Sequence, residues 1–305
     1  MVLVLMLCCA AAVAANDKCN APLELSLNEH LDGWDYSPNQ IEFRFVVAGD
    51  LHFGRQSSDI SYKMHTQDMV DWMNAESNAR GLDVLFLNGD IVHDDVKFYK
   101  PLQDEYLSQL TMPFYAIRGN HDYLGDDLTW EDVWGYTENH VVEKGGISFV
   151  LANTSKFDGA YSAVNTEWLA ETLGQLESRS VVFLIMHIAQ RARGVTVDGY
   201  TWPQYGVRDR GHGEVEAGEA NMKIMESHEN VKAIFHSHNH RKIERYMSGG
   251  KPYFFCGRLS GSLLRGDMRR GYRVVEVYDS GAIATYYWNA ENQVILNAHW
   301  VSREN

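Results

Sequence analysis

The stretch Ile41–His52, "IEFRFVVAGDLH", is a run of β-branched and aromatic residues that stops at Gly49 and is followed at once by Asp50 and His52. Such a run reads as a buried strand, and its polar ending recurs down the chain. "DVLFLNGDIVH" (83–93) closes in Gly89-Asp90 with His93 behind it, and "MPFYAIRGNHD" (112–122) closes in Gly119-Asn120-His121-Asp122. "VVFLIMH" (181–187) ends on His187, and "VKAIFHSHNH" (231–240) ends in His236-Ser237-His238-Asn239-His240. Between these runs lie segments of helical period. Ile60, Met64, Met69, Trp72 and Met73 predict a helix over Ser57–Arg80 with Gly81 as its stop. Further helices are expected over about 97–110, 166–178 and 217–228, with another strand at "ISFVLANT" from Ile147. Past Arg241 the pattern turns to strands without helices: "KIERYM", "PYFFCG", "YRVVEVY" and "AIATYYW". Alternation followed by antiparallel strands predicts a single α/β domain built on a mixed sheet.

At 305 residues and 45% hydrophobic, the chain can bury a large core without disulfide staples. Its formal net charge of −14 repels nucleic-acid phosphates and anionic membranes. No basic stripe is present to grip a polymer, so a nucleic-acid partner is not expected. A phosphate ester could be handled only if local positive charge overcame that field.

The apolar run from Val2 to about Ala15 is shorter than the ~20 residues a membrane span needs. It ends in the small-residue pattern Ala12-Val13-Ala14, as a signal-peptidase site does, although no Lys or Arg precedes it. The expectation is an exported protein, periplasmic or secreted, with residues 1–15 as signal peptide, 16–40 as a polar extension and 41–305 as the functional domain. A buried N-terminal helix is the alternative. Cys19 and Cys256 then remain, either paired by a disulfide or as two separate thiols.

Ligands of open α/β sheets bind outside the carboxyl ends of the strands, so the polar endings should converge on one crevice. Each alone has a bland explanation, since Asp and Asn favour turns and helix caps. Together they do not, because turn chemistry does not predict histidines in nearly every cluster. Carboxylates, imidazoles and one amide suit divalent ions such as Mn, Fe, Zn or Mg. They are too many for one ion and enough for two. Two ions ~3.5–4 Å apart form the clamp used for in-line displacement at phosphorus.

Asp50-x-His52, Gly89-Asp90, Gly119-Asn120-His121-Asp122, the isolated His187 and Ser237-His238-x-His240 stand in the order found in the calcineurin-like metallophosphoesterases, which this chain resembles from about Ile41 to Trp288. The resemblance implies a four-layer α/β/β/α fold, a mixed β-sheet sandwich flanked by helices. It implies two divalent metal ions (Mn, Fe or Zn), with Asp50, His52 and His240 on the first, Asp90 bridging, and Asn120, His187 and His238 on the second. His121 becomes the histidine that faces the phosphate, with Asp122 orienting it through its other ring nitrogen. A metal-bridging hydroxide would attack phosphorus in line. The expected substrate is a small phosphate mono- or diester, while oligomeric state is left open.

Two departures stand out. Ser237 replaces the usual Gly, and His236-x-His238 offers a rival frame to His238-x-His240; the later frame is preferred, leaving His236 as a surface or supporting residue. His93 stands where many relatives carry Asp, and the Tyr typical of purple acid phosphatases is absent. Asp50 and His52, two apart in an extended segment, should point the same way. In the long loop from Arg191 to Glu219, Tyr200, Trp202 and Tyr205 could stack on a leaving group or simply pack the loop, and His212 could donate a proton or do neither. Arg258, Arg265, Arg269 and Arg270 could bind a second phosphate or be ordinary surface arginines. Asp94 and Asp95 read as turn or cap residues. A catalytically silent, metal-loaded binding protein is the competing function, but such a protein would be expected to have lost His121, Asp90 or another ligand. A hydrolase of a non-phosphate bond using the same metal pair is a third possibility.

Overall fold

The computed structural model describes residues 40–57, 60–190, 196–197, 200–201, 214–260 and 270–302. The apolar segment, the 16–39 extension, Cys19, Trp202, Tyr205, His212, Arg265 and Arg269 lie outside them, and the export and disulfide expectations lie there too.

Twelve principal strands form two six-stranded sheets. They are β1 (Ile41–Ala48), β2 (Val84–Asn88), β3 (Phe114–Ile117), β4 (His140–Lys144), β5 (Ile147–Ala152), β6 (Val182–Met186), β7 (Val231–His236), β8 (Arg245–Ser248), β9 (Lys251–Phe255), β10 (Gly271–Tyr278), β11 (Ile283–Asn289) and β12 (Val294–Ser302). The first sheet runs β12-β11-β10-β1-β2-β3 and the second β8-β9-β7-β6-β5-β4. β1, β2 and β3 are parallel, as are β5, β6, β7 and β9, whereas β10 to β12 pair antiparallel.

Strand periodicity explains why these segments are apolar throughout. Phe43, Phe45 and Val47 of β1 point between the sheets, and Val46 and Ala48 point to the outer face. Phe86 of β2, Phe149 of β5, Phe183 of β6 and Phe235 of β7 fill the same inter-sheet layer. Phe45 sits at its centre, with ring centroids 5.0 Å from Phe149 and Phe183 and 5.9 Å from Phe86 and Phe235. A strand buried on both faces carries no alternation, so these runs are continuous.

Helices α1 (Tyr62–Arg80), α2 (Tyr99–Glu105), α3 (Trp130–Trp134), α4 (Thr166–Gln175) and α5 (Glu214–Ser227) complete four layers. Met69, Met73, Leu102 and Trp130 cover the first sheet, while Leu169, Leu173, Met222 and Met225 cover the second. The first helix begins later than the expected Ser57, because Ser61 caps it by accepting the amide of Met64 at 3.3 Å. Its buried face runs through Met69, Val70 and Met73, and Met64 is exposed. The expected helix over 97–110 is divided. A turn of 3₁₀-helix on each side brackets the short α2, and Tyr106 leaves the helical region at φ −121°.

His65 on α1 is buried, and burial first, with the Arg270 charge second, lowers it to about 4. Its unfolded value is ~6.5. Between these limits the unfolded chain binds the extra proton, so stability falls as pH drops from ~6.5 toward about 4. Thermal unfolding followed across that window should show a shallower decline in His65→Gln than in the parent.

Candidate metal centre

All five expected strand ends meet at one edge of the sandwich. β1 delivers Asp50 and His52, β2 delivers Asp90, β3 delivers Asn120, β6 delivers His187, and β7 delivers His238 and His240. The loops are laced together by backbone. The amide of Asp50 donates to Gly89 O at 3.0 Å, His52 to Asp90 O at 2.8 Å, and Ser237 to His187 O at 3.0 Å. A Cβ on Gly119 would lie 2.1 Å from the backbone nitrogen of Asp90, so only glycine lets these strand ends approach.

Asp50 and His52 are not extended. Their φ values are 57° and 50°, and Asp90 (51°), Asp94 (57°) and His238 (62°) share the left-handed region. Non-glycine residues there are strained and gather at functional sites. Sequence alternation is therefore not what aligns Asp50 with His52; two left-handed turns are.

The ligating atoms of Asp50, His52, Asp90 and His240 lie within 4.8 Å of one another, and so do those of Asp90, His187 and His238. Asp90 belongs to both groups. His52 Nε2 faces His240 Nε2 at 3.1 Å and Asp90 Oδ2 at 3.6 Å, and His187 Nε2 faces Asp90 Oδ1 at 3.3 Å. Asn120 Oδ1 is buried without a hydrogen-bond partner, while Asp50 Oδ1 meets His240 Nε2 at 3.0 Å and His187 Nε2 meets Asp90 Oδ1 at 3.3 Å. Buried carboxylates, imidazoles and an orphaned amide oxygen that converge in this way are what a cation satisfies, and nitrogens on one ion with ~2.1 Å bonds sit about 3 Å apart. The residues present fit a metal.

Protonation supports this at His52 and His238, while at His187 a cation would have to displace the proton shared with Asp90. Burial holds His52 at about 3 and His238 at about 4, so both are neutral and can offer a lone pair. Burial also opposes charge on His187, but Asp90 wins and raises it to about 9. Asp50 and Asp90 both remain below the usual carboxylate range despite burial, Asp50 through His240 and Asp90 through His187. His187 Nδ1 lies 2.8 Å from Asn88 O, which turns Nε2 toward the carboxylates.

His121 lies at the rim, its side chain 36% exposed and its amide anchored to Asp90 Oδ1 at 2.8 Å. Its Nδ1 meets Asp94 Oδ1 at 2.7 Å. The expectation for Asp122 is thus corrected. Asp122 folds back onto the backbone, accepting from Ile91, Val92 and Gly119 amides at 2.8, 2.9 and 2.8 Å. Burial and the Asp90 charge raise it to about 7 against the Val92 and Gly119 donors. Asp94, read from sequence as a turn residue, is the missed one. Asp95 is the cap, accepting from the Lys97 amide at 3.0 Å.

His236 is excluded as a ligand. It is fully buried, with Nε2 3.1 Å from Tyr246 OH and its ring against Tyr253, so the His238/His240 frame is the one that reaches the site. The expectation of a surface role is corrected as well. Among residues not anticipated, Tyr161 lies edge-on to His238 with centroids 4.7 Å apart. Arg258 is buried at 6% exposure. Arg270 is also buried, and is bonded to Asp68, Glu291 and Leu259 O. A second-phosphate role for Arg270 is therefore replaced by a structural one. Tyr200 lies in a two-residue strand paired with Thr196–Val197.

Fold and site together define an α/β sandwich with a buried carboxylate–histidine cluster at its strand ends that could hold metal. The family model for calcineurin-like phosphoesterases matches residues 43–242, and the chain belongs to that family. A 3′,5′-cyclic-nucleotide phosphodiesterase from Nostoc sp. is 21% identical over 215 residues, covering 67% of this chain and 75% of that protein. A dimetal phosphatase from Danio rerio superposes with a TM-score of 0.62 at 11% identity, over 87% of this chain and 100% of that one. A purple acid phosphatase from yellow lupin gives 0.57 at 12% identity, over 88% of this chain and 55% of that one.

Asp122→Ala would strand three buried amides at ~1–3 kcal/mol each. A fall in Tm of more than about 5 °C is expected, with Tm of His121→Ala nearly unchanged. Equal Tm values by calorimetry would return Asp122 to a role in the chemistry.

Proposed function

We propose that this phosphoesterase hydrolyses a small phosphate mono- or diester with two divalent cations, Mn, Fe or Zn, held on either side of Asp90. The observation that carries the reading is the pair of ligand groups sharing Asp90, with His121 standing beside them on an anchored amide. Asp50, His52 and His240 would hold one cation and Asn120, His187 and His238 the other. When bound, such a pair neutralises charge on a phosphoryl group and lowers the pKa of water. That positive charge also answers the −14 surface that would otherwise repel an anionic ester.

The chain's own part in the reaction falls to His121. Asp94 accepts at Nδ1 and so fixes the ring, leaving Nε2 available to the substrate. In hydrolysis a water oxygen bonds to phosphorus and gives up a proton to solvent, the ester P–O bond breaks, and the leaving oxygen would take a proton from Nε2 of His121 in its doubly protonated form, which solvent then restores. Proton transfer by a placed side chain contributes ~10²–10⁴-fold. The phosphodiesterase activity of the Nostoc relative favours including a diester among the candidates. A silent binding protein is the second reading, and the complete set of Asp90, His121 and the ligand residues speaks against it. Export is part of the proposal on the strength of the Val2–Ala15 segment alone. No described helix is long and apolar enough to cross a membrane.

The test is hydrolysis of bis(4-nitrophenyl) phosphate beside 4-nitrophenyl phosphate, by protein stripped of metal and reloaded with Mn. Turnover should vanish on stripping, fall ~10²–10⁴-fold in His121→Asn, and be lost in Asp90→Asn. No turnover of either ester with two ions demonstrably bound would move the weight to the silent reading.

A further inference from the structure

His93 and Asp94 are consecutive, and each grips a different loop of the site by both backbone and side chain. The His93 amide donates to Phe53 O at 3.0 Å, and its Nδ1 lies 3.2 Å from His52 Nδ1. The Asp94 amide donates to His121 O at 2.9 Å, and its Oδ1 lies 2.7 Å from His121 Nδ1. The His93 and His121 rings stack at 4.9 Å with 27° between planes. We propose that His93 and Asp94 are a positioning relay that fixes His52 as a metal ligand and links it to His121. The inference rests on the two-cation reading above.

Proton counting carries it. His52 Nε2 faces Asp50 Oδ1 at 3.9 Å, Asp90 Oδ2 at 3.6 Å and His240 Nε2 at 3.1 Å. For Nε2 to give its lone pair to a cation among these atoms, the His52 proton must sit on Nδ1. His93 Nδ1 is the acceptor placed there, which puts the His93 proton on Nε2. That nitrogen lies 3.7 Å from Asp94 Oδ2, an electrostatic contact longer than a hydrogen bond, while the other Asp94 oxygen takes the proton of His121 Nδ1. The tautomers of His52 and His93 are then determined. A partner on the far nitrogen of a ligating histidine fixes ring orientation and raises its basicity, and losing it costs ~10–100-fold in metal affinity. His93 thus does for His52 what Asp94 does for His121, and the adjacency of the two residues ties the cation nearer His52 to the acid at the rim.

The experiment is Mn and Zn binding by calorimetry and native mass spectrometry, on the full chain, the variants His93→Ala and His93→Asn, and Asp94→Ala. The parent should bind two ions. His93→Ala should weaken one of the two by ~10–100-fold and leave the other unchanged, and His93→Asn, whose side-chain oxygen can accept from His52, should restore it. Asp94→Ala should keep both affinities while kcat falls and KM holds. Two unchanged affinities in His93→Ala, or equal weakening of both, would overturn the relay while leaving the two-cation reading intact. A parent that binds a single ion would overturn both. Should His93→Ala not fold, His93→Leu keeps the volume without an acceptor and is read by the same criterion.

Discussion

Every part of the site is referred to Asp90. Its carboxylate is common to both ligand groups, its Oδ1 accepts the amide of His121, and its carbonyl accepts the amide of His52. Its backbone nitrogen lies where a side chain on Gly119 would otherwise be. A movement of this residue would displace a ligand of each group and the rim histidine together. That dependence follows from topology, since β2 is flanked by β1 and β3 in one parallel stack and their loops leave the sheet side by side.

Such a residue must be held against strain. Asp50, His52, Asp90, Asp94 and His238 all sit at positive φ, each costing ~1–3 kcal/mol. What holds them is the rigid framework behind. Phe45 and its aromatic neighbours close the space between the sheets, and the strands are buried on both faces. Side chains worth ~1.5–3 kcal/mol each on burial make the core deep enough to carry a strained edge. The Asp122 carboxylate adds a local brace by gathering the amides of Ile91, Val92 and Gly119, which joins the loops after β2 and β3.

Much of this was legible in the sequence. The buried strands announced themselves because double-sided burial leaves an unbroken apolar run, and the convergence of the strand-end residues did so because histidines behind strand ends have no turn chemistry to explain them. What was not legible is instructive. β4 is a short polar edge strand and β12 carries Asn297 and His299 within it, so neither stands out from a loop. Left-handed φ is announced by glycine, and Asp50 and His52 give no such sign. Asp122 looked like the partner of His121 because it is adjacent, but a tight turn sends neighbouring side chains apart, and the partner lies 27 residues away in Asp94. His236 is set apart by its burial inside β7, not by parity, which it shares with His238 and His240. Ala233 and Phe235 of β7 face the inter-sheet layer, whereas His236 stacks on Tyr246 and Tyr253 beyond it.

The charge distribution orders the events at the site. Asp50 and Asp90 are buried and held ionised, while His52 and His238 are held neutral. Although Asp90 holds His187 protonated, the two carboxylates and the lone pairs of His52 and His238 make the centre a better receptacle for cations than for phosphate. A surface at −14 reinforces the same preference. On the proposed function, metal would come first, and an anionic ester would come to the metal-loaded edge rather than to the protein. Two side chains at that edge, His121 at the rim and His93 stacked on it, stay partly open to solvent, and a leaving group would meet them. Because the Asp94 carboxylate reaches both rings, at 2.7 Å from His121 Nδ1 and 3.7 Å from His93 Nε2, a carboxylate outside the ligand set would govern how the protein touches its substrate.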